Sequence, residues 1–170
     1  MAGPVAGEIP GTRSSLATFG YDNSQAVLLE MIPDDVNGLV PGLAAPGEDS
    51  WGRSQINSSL SAGDWGVVAV IPGRHLGFCI GKPGGTILEI LQVGVRPEHR
   101  RKGLAGRMLE YICRVGKGSG MEEVWLEVRA SNLPARSLYR KCGFVQTGVR
   151  SDYYDGEQEN TDAVLMSRLL

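Results

Sequence analysis

At 170 residues, with 42% hydrophobic and 21% charged side chains, the chain has the size and composition of an ordinary globular domain rather than a disordered or fibrous one. Seventeen Lys and Arg against nineteen Asp and Glu leave a net charge of −2, which excludes whole-surface attraction to nucleic acid, and no apolar run reaches the length of a membrane span. Three cysteines outside any CxxC spacing (Cys79, Cys113, Cys142) read as reduced, packed thiols, and two histidines in unrelated segments (His75, His99) build neither a zinc site nor a Ser-His-Asp triad, so no metal is expected.

Residues 1–25 are rich in Gly, Ala, Ser and Pro without a period and read as a flexible lead-in, which leaves residues 26–170 as a single domain. The first twenty lack the basic start and apolar core of a secretory signal, so a cytoplasmic location is expected. "AVLLEMI", ended by Pro33, reads as a buried strand, and the Gly- and Pro-interrupted stretch from Asp34 to Asp49 allows only a short helix. "SWGRSQINSSL" offers another brief one.

"WGVVAVI", "HLGFCIG" and "TILEILQVGV" are β-branched runs separated by "PGR" and "KPGG", the punctuation of an antiparallel meander. After Pro97 the period becomes helical, with Leu104, Met108, Leu109, Ile112 and Val115 on one stripe and "GKGSG" as the stop. "EVWLEVRA" is a further strand, alternating Val124, Leu126 and Val128 with Trp125, Glu127 and Arg129. Asn132 with Pro134 starts a second clear helix that stops at Gly143, and "FVQTGVR" and "DAVLMSRLL", joined by the acidic "DGEQENT", supply a closing hairpin.

A helix of about 16 residues rises roughly 24 Å, close to the roughly 23 Å of a seven-residue strand. It can therefore return the chain so that "ILQVGV" and "VWLEV" lie parallel in a right-handed βαβ unit. The fold class is α/β: a mixed, mostly antiparallel sheet with one parallel βαβ unit and flanking helices. Glu127 and the helix start "RRKGLAG" then share one sheet edge.

Each candidate has a plain reading beside its chemical one. The first turn at "RRKGLAG" can cradle phosphate on unpaired N–H groups that Gly103, Ala105 and Gly106 leave approachable, or it is a solvated helix start. It is neither a Walker loop nor a GxGxxG turn. A nucleic-acid face built on Arg96, His99, Arg100, Arg101, Lys102 and Arg107 lacks interleaved aromatics for base stacking. Glu127 is either solvent-facing or held at a site, and Tyr139, read alone, is a packed core tyrosine.

The segments "ILQVGVRPEHRRKGLAGRML", "VWLEVRASNLPARSLYRKCGF" and "VRSDYYDG" resemble the GCN5-related N-acetyltransferases (the GNAT superfamily), and within it the RimI-type ribosomal-protein-alanine N-acetyltransferases. Arg100 to Ala105 fits the (Q/R)xxGx(G/A) signature, and "WLEVRASN" followed by "LY" and "GF" is more specific. The resemblance covers about residues 50–170 and implies the GNAT fold with acetyl-coenzyme A as co-substrate. It places the pyrophosphate on the turn Arg100, Arg101, Lys102, Gly103, Leu104, Ala105 and Gly106. Val93, Gly94 and Val95 then lie along the pantetheine arm, and Asn132 touches the cofactor. Glu127 corresponds to the general base and Tyr139 to the general acid.

What the resemblance implies is an N-alpha-acetyltransferase that acts by direct transfer on a protein N-terminus, the N-terminal alanine of a basic small-subunit ribosomal protein. No direct nucleic-acid role and no membrane are expected, and the enzyme would be a monomer or weak dimer. The rivals are a lysine or small-molecule amine acetyltransferase and a non-catalytic phosphate- or RNA-binding module.

Overall fold

The computed structural model describes residues 15–22, 24–40, 43, 51–154 and 161–170. In chain order these form β1 (Ser15–Tyr21), β2 (Ser24–Glu30), α1 (Pro33–Leu39), α2 (Arg53–Ser61), β3 (Trp65–Ile71), β4 (Arg74–Gly84) and β5 (Ile87–Val95). A 3₁₀ turn (Pro97–His99) leads to α3 (Leu104–Gly118), β6 (Glu123–Arg129), α4 (Leu133–Lys141), β7 (Val145–Tyr154) and β8 (Thr161–Leu169). All eight strands join one sheet in the order β1-β2-β3-β4-β5-β6-β8-β7. Its pairs are antiparallel except β5 with β6, the pair that α3 connects.

The described part of the stretch expected as a flexible lead-in, residues 1–25, is strand instead. Residues 15–21 are strand, running antiparallel to β2 with Tyr21 opposite Ser24, and residues 1–14 lie outside the described residues. Ala17, Phe19 and Tyr21 turn to the same side and pack on the core, so a run poor in large side chains still completes a ladder.

The two faces of the sheet carry separate cores. On one, α3 and α4 cover Val67, Ala69, Cys79, Leu88, Ile90 and the Val124, Leu126, Val128 series of β6. The α3 stripe runs through Leu104, Met108, Leu109 and Ile112, with Cys113 and Gly116 also buried and Val115 half-buried. On the other, Val36 and Leu39 of α1 and Ile56 of α2 pack with Leu43 over Val68, Val70, Phe78 and Ile80. That second cluster stops at β5, and the same face of β6 carries Trp125, Glu127 and Arg129. No helix among the described residues is long and apolar enough to cross a membrane.

Candidate active site

The parallel pairing of β5 and β6 covers only four positions, from Ile87 with Glu123 to Ile90 with Leu126. At that point the β4–β5 register shifts, pairing Gly81 with Ile90 but Ile80 with Gln92, so Leu91 is the extra residue of a bulge that bends β5 away. β5 continues on β4 as far as Val95, and β6 continues on β8 as far as Arg129. A wedge therefore opens between Gln92–Val95 and Glu127–Arg129.

Which backbone groups face the wedge follows from alternation. Arg96 donates its N–H to the carbonyl of Leu76 on β4 (2.9 Å). Gly94 therefore also points its N–H toward β4, and Val93 and Val95 point theirs into the wedge. Gly94 is small for a packing reason, since a methyl there would lie 2.7 Å from Phe78 Cε1 and 3.4 Å from Leu43 Cδ2.

The turn after β5 is built from backbone more than from charge. Arg101 (φ 62°) and Gly103 (φ 83°) are left-handed, a conformation that costs a non-glycine residue about 1–2 kcal/mol. The first intrahelical bond of α3 runs from Arg107 N–H to Gly103 carbonyl (3.1 Å), and Gly103 has no side chain to cap the amides of Leu104, Ala105 and Gly106. A Cβ at Gly103 would meet nothing within 4 Å, so the space before these amides is open and the glycine answers to its φ. Such a turn fits a diphosphate.

The cations beside it do not converge. Arg100 folds back to donate from Nε to Val95 carbonyl and from Nη2 to Leu43 carbonyl, both at 3.0 Å. Lys102 pairs with Asp22 at 3.0 Å, and Arg101 is exposed. His99 is buried against the Tyr21 hydroxyl (2.8 Å to Nδ1), with burial holding its pKa below 6.5, and Arg96 donates to the carbonyls of His75 and Gly38. Three of the six basic residues considered as a nucleic-acid face are thus turned inward.

Glu127 and Tyr139 stand on opposite faces of the sheet. Glu127 lies beside the wedge on the Trp125 face, with its side chain 22% exposed and paired with Arg150 at 2.8 Å. Tyr139 is 9% exposed in the α3–α4 core, edge-on to Phe144 with ring centroids 5.9 Å apart. Asn132 caps α4, its Oδ1 accepting from Ala135 N–H at 3.1 Å. The acidic "DGEQEN" loop, residues 155–160, lies outside the described residues.

Sequence reasoning missed the hairpin's part in this region. Tyr21 holds His99, Asp22 holds Lys102, and Arg107 of α3 stacks over Phe19 with its guanidinium carbon 4.5 Å from the ring centroid. The available signal was "YDNS", an Asp-Asn pair able to turn tightly between two strands; Asp22 has φ 48°. It also missed Arg150, whose partner Glu127 lies 23 positions away and which no local pattern marks.

The thiols are poor nucleophiles. Burial pushes the Cys79 thiol far up and that of Cys113 to about 11. Cys142, whose Sγ would lie 3.8 Å from a methyl on Gly106, is also raised by burial. Among the described residues no three His, Cys, Asp or Glu side chains gather as a metal-binding group.

Known proteins similar to the chain in sequence and fold are acetyltransferases. The sequence profile of the acetyltransferase (GNAT) family matches residues 42–144. A ribosomal protein bS18-alanine N-acetyltransferase from Salmonella typhimurium is 36% identical over 116 residues, 68% of this chain and 72% of that protein. An N-alpha-acetyltransferase from Saccharolobus solfataricus is 43% identical over 84 residues, 48% of each chain. The crystal structure of the ribosomal-protein-S18-alanine N-acetyltransferase from Escherichia coli superposes with a TM-score of 0.77 at 23% identity, covering 85% of this chain and 93% of that one.

Proposed function

The chain belongs to the acetyltransferase (GNAT) family, and on that premise we propose that it moves the acetyl group of acetyl-coenzyme A to the amine at a protein's N-terminus, with an N-terminal alanine as the preferred acceptor. The observation that carries the reading is the wedge: inward-facing N–H groups of Val93 and Val95 on one side, Glu127 on the other, and an uncapped α3 start at the same sheet edge. Similarity to a relative named for alanine acetylation of ribosomal protein bS18 supports the acceptor, a basic ribosomal protein.

When bound, acetyl-coenzyme A supplies an activated thioester. The amides of Gly103 to Gly106 would hold its pyrophosphate, with Arg101 and Lys102 at the rim, and the open edge of β5 from Val93 through Gly94 to Val95 would pair with its amide-bearing arm. The Val95 N–H would donate to the thioester carbonyl oxygen as it gains charge, while the Val93 N–H, two residues back along the same edge, would pair with the arm. Asn132 sets the start of α4 and so the placement of Tyr139.

Glu127 takes the proton from the attacking amine, directly or through a water, and Tyr139 gives one to the departing thiolate. Standing on opposite faces, they suit a reaction centre lying in the gap between the strands. An α-amine with a pKa of about 7.7–8.0 is roughly a quarter neutral at pH 7.4, whereas a lysine near 10.4 is only ~0.1% neutral. A modest base therefore serves the first and not the second. The transfer is read as direct: the thiol beside the cradle, Cys142, has its pKa raised by burial and is a poor nucleophile.

The test is intact-mass measurement after incubation with acetyl-coenzyme A and a panel of peptides. An alanine-initiated basic peptide should gain one acetyl group, and the same peptide with a blocked N-terminus and free lysines should gain none. Acetylation of the blocked peptide at equal rate would overturn the acceptor assignment.

A further inference from the structure

We propose that Arg100, at the head of the basic turn, is a positioning residue that fastens the acceptor side of the wedge to the coenzyme side, rather than a ligand of the phosphates. Its guanidinium follows the 3₁₀ turn and folds back, with Nε on the carbonyl of Val95 and Nη2 on the carbonyl of Leu43, both at 3.0 Å. These carbonyls belong to different parts of the molecule. Val95 ends β5, and by the alternation that turns its N–H into the wedge its carbonyl lies on the same edge. Leu43 lies in the connection between α1 and α2 and is buried against Phe78, on the Glu127 face of the sheet.

The acceptor must come in over that face to reach Glu127, which is where this inference rests on the function proposed above. Leu43 abuts the far wall of the wedge, since its Cδ2 would stand 3.4 Å from a methyl on Gly94. One side chain therefore sets both the peptide plane of Val95 and the backbone position of Leu43. Arg96 makes a parallel fastening one turn earlier, from Nε to His75 carbonyl (2.8 Å) and from Nη2 to Gly38 carbonyl at the end of α1. His75 in turn meets the buried Asp35 carboxylate at 2.9 Å. The α1 segment is thus already anchored, and Arg100 governs Leu43 beyond it.

A forked, planar donor is required, because the two carbonyls are met by different nitrogens; an ammonium is a single point that holds one of them. Arg100→Lys keeps the charge and loses the fork. The expected result is a rise of roughly 10- to 100-fold in KM for an alanine-initiated peptide, the scale of one charge-assisted hydrogen bond. The dissociation constant for coenzyme A, read by calorimetry, should stay within about threefold. Amide hydrogen exchange, read on the same protein without any acceptor, should quicken at Leu43 and not in α3.

Coenzyme A affinity falling as far as peptide efficiency would make Arg100 a phosphate ligand and overturn the proposal. Unchanged exchange at Leu43 together with an unchanged peptide KM would also overturn it. If Arg100→Lys unfolds, Arg100→Gln, which keeps one planar donor group, serves the same readouts. Should the wild-type protein acetylate no peptide, the functional reading fails by itself, while the exchange comparison still decides whether Arg100 holds Leu43.

Discussion

Replacing Gly94 by Ala adds one methyl to the wall of the wedge and nothing else. The new carbon would stand 2.7 Å from Phe78 Cε1 and 3.4 Å from Leu43 Cδ2. Phe78, on β4, is completely buried under the α1–α2 layer, so its ring has no free space to move into. Overpacking of this kind costs about 1–3 kcal/mol. For a domain of this size each kcal/mol moves Tm by about 2–4 °C, which gives a fall of roughly 2–12 °C. Relief by displacement of β5 would carry the N–H groups of Val93 and Val95 with it, and a misplacement of about 1 Å costs on the order of a hundredfold in rate. The assay is thermal unfolding beside steady-state kinetics, with Gly84→Ala as control, since a methyl on Gly84 meets nothing within 4 Å. Tm and kcat of Gly94→Ala indistinguishable from the control would refute the packing argument and the placement of the reacting carbonyl on this edge.

Glu127→Gln and Tyr139→Phe should each lower kcat by about 10²–10⁴ while coenzyme A affinity, measured by calorimetry, stays nearly intact; full turnover in both would remove them from the chemistry. Gly103→Glu places a carboxylate and a side chain at φ 83° before the open amides of α3 and should weaken coenzyme A binding sharply, whereas Lys102→Ala, which loses an exposed pair with Asp22 and a contact with the Tyr21 ring, should weaken it little. The reverse order would return the site to its cations. Burial holds His99 below its usual 6.5, so on acidification the unfolded chain takes the proton first. Its contribution to stability is full above pH 6.5 and declines as pH falls through 6.5 toward the lowered value; Tm should drop between about pH 7.5 and 5.5 by more in the wild type than in His99→Gln, and parallel slopes would contradict this.

The parts legible in the sequence are those governed by local rules. The β3–β5 meander is announced by β-branched runs between Gly-Pro turns, and α3 by its apolar stripe. The parallel β5–β6 pair follows from the matched lengths of helix and strand. β1 was hidden because Ser, Ala, Thr and Gly dominate it, and its strand character comes from pairing with β2 and from the inward side chains of Phe19 and Tyr21. The bulge at Leu91 was equally invisible: whether "ILEILQVGV" runs straight or bends is decided by its partner β4, and the wedge exists only because it bends. Glu127 could be chosen as a charged residue in an apolar strand, but its pairing with Arg150 depends on β8 lying between β6 and β7.

The basic turn shows why charge counting misleads there. "RRKGLAG" invites a reading in which three cations attract a phosphate, yet each has another task in the fold. Arg100 fastens two carbonyls from separate segments, Arg101 takes the left-handed step that sets up Gly103, and Lys102 is tied to Asp22, in the stretch that sequence composition assigned to a lead-in. What the turn offers to open space is a set of backbone N–H groups that no side chain caps. These donors are fixed in position by the helix behind them, carry no titrating proton near neutrality, and need no rotamer to be frozen when a ligand arrives. The cations serve chiefly to hold the donors in place, so on the proposed reading it is the shape of this backbone that would select a diphosphate.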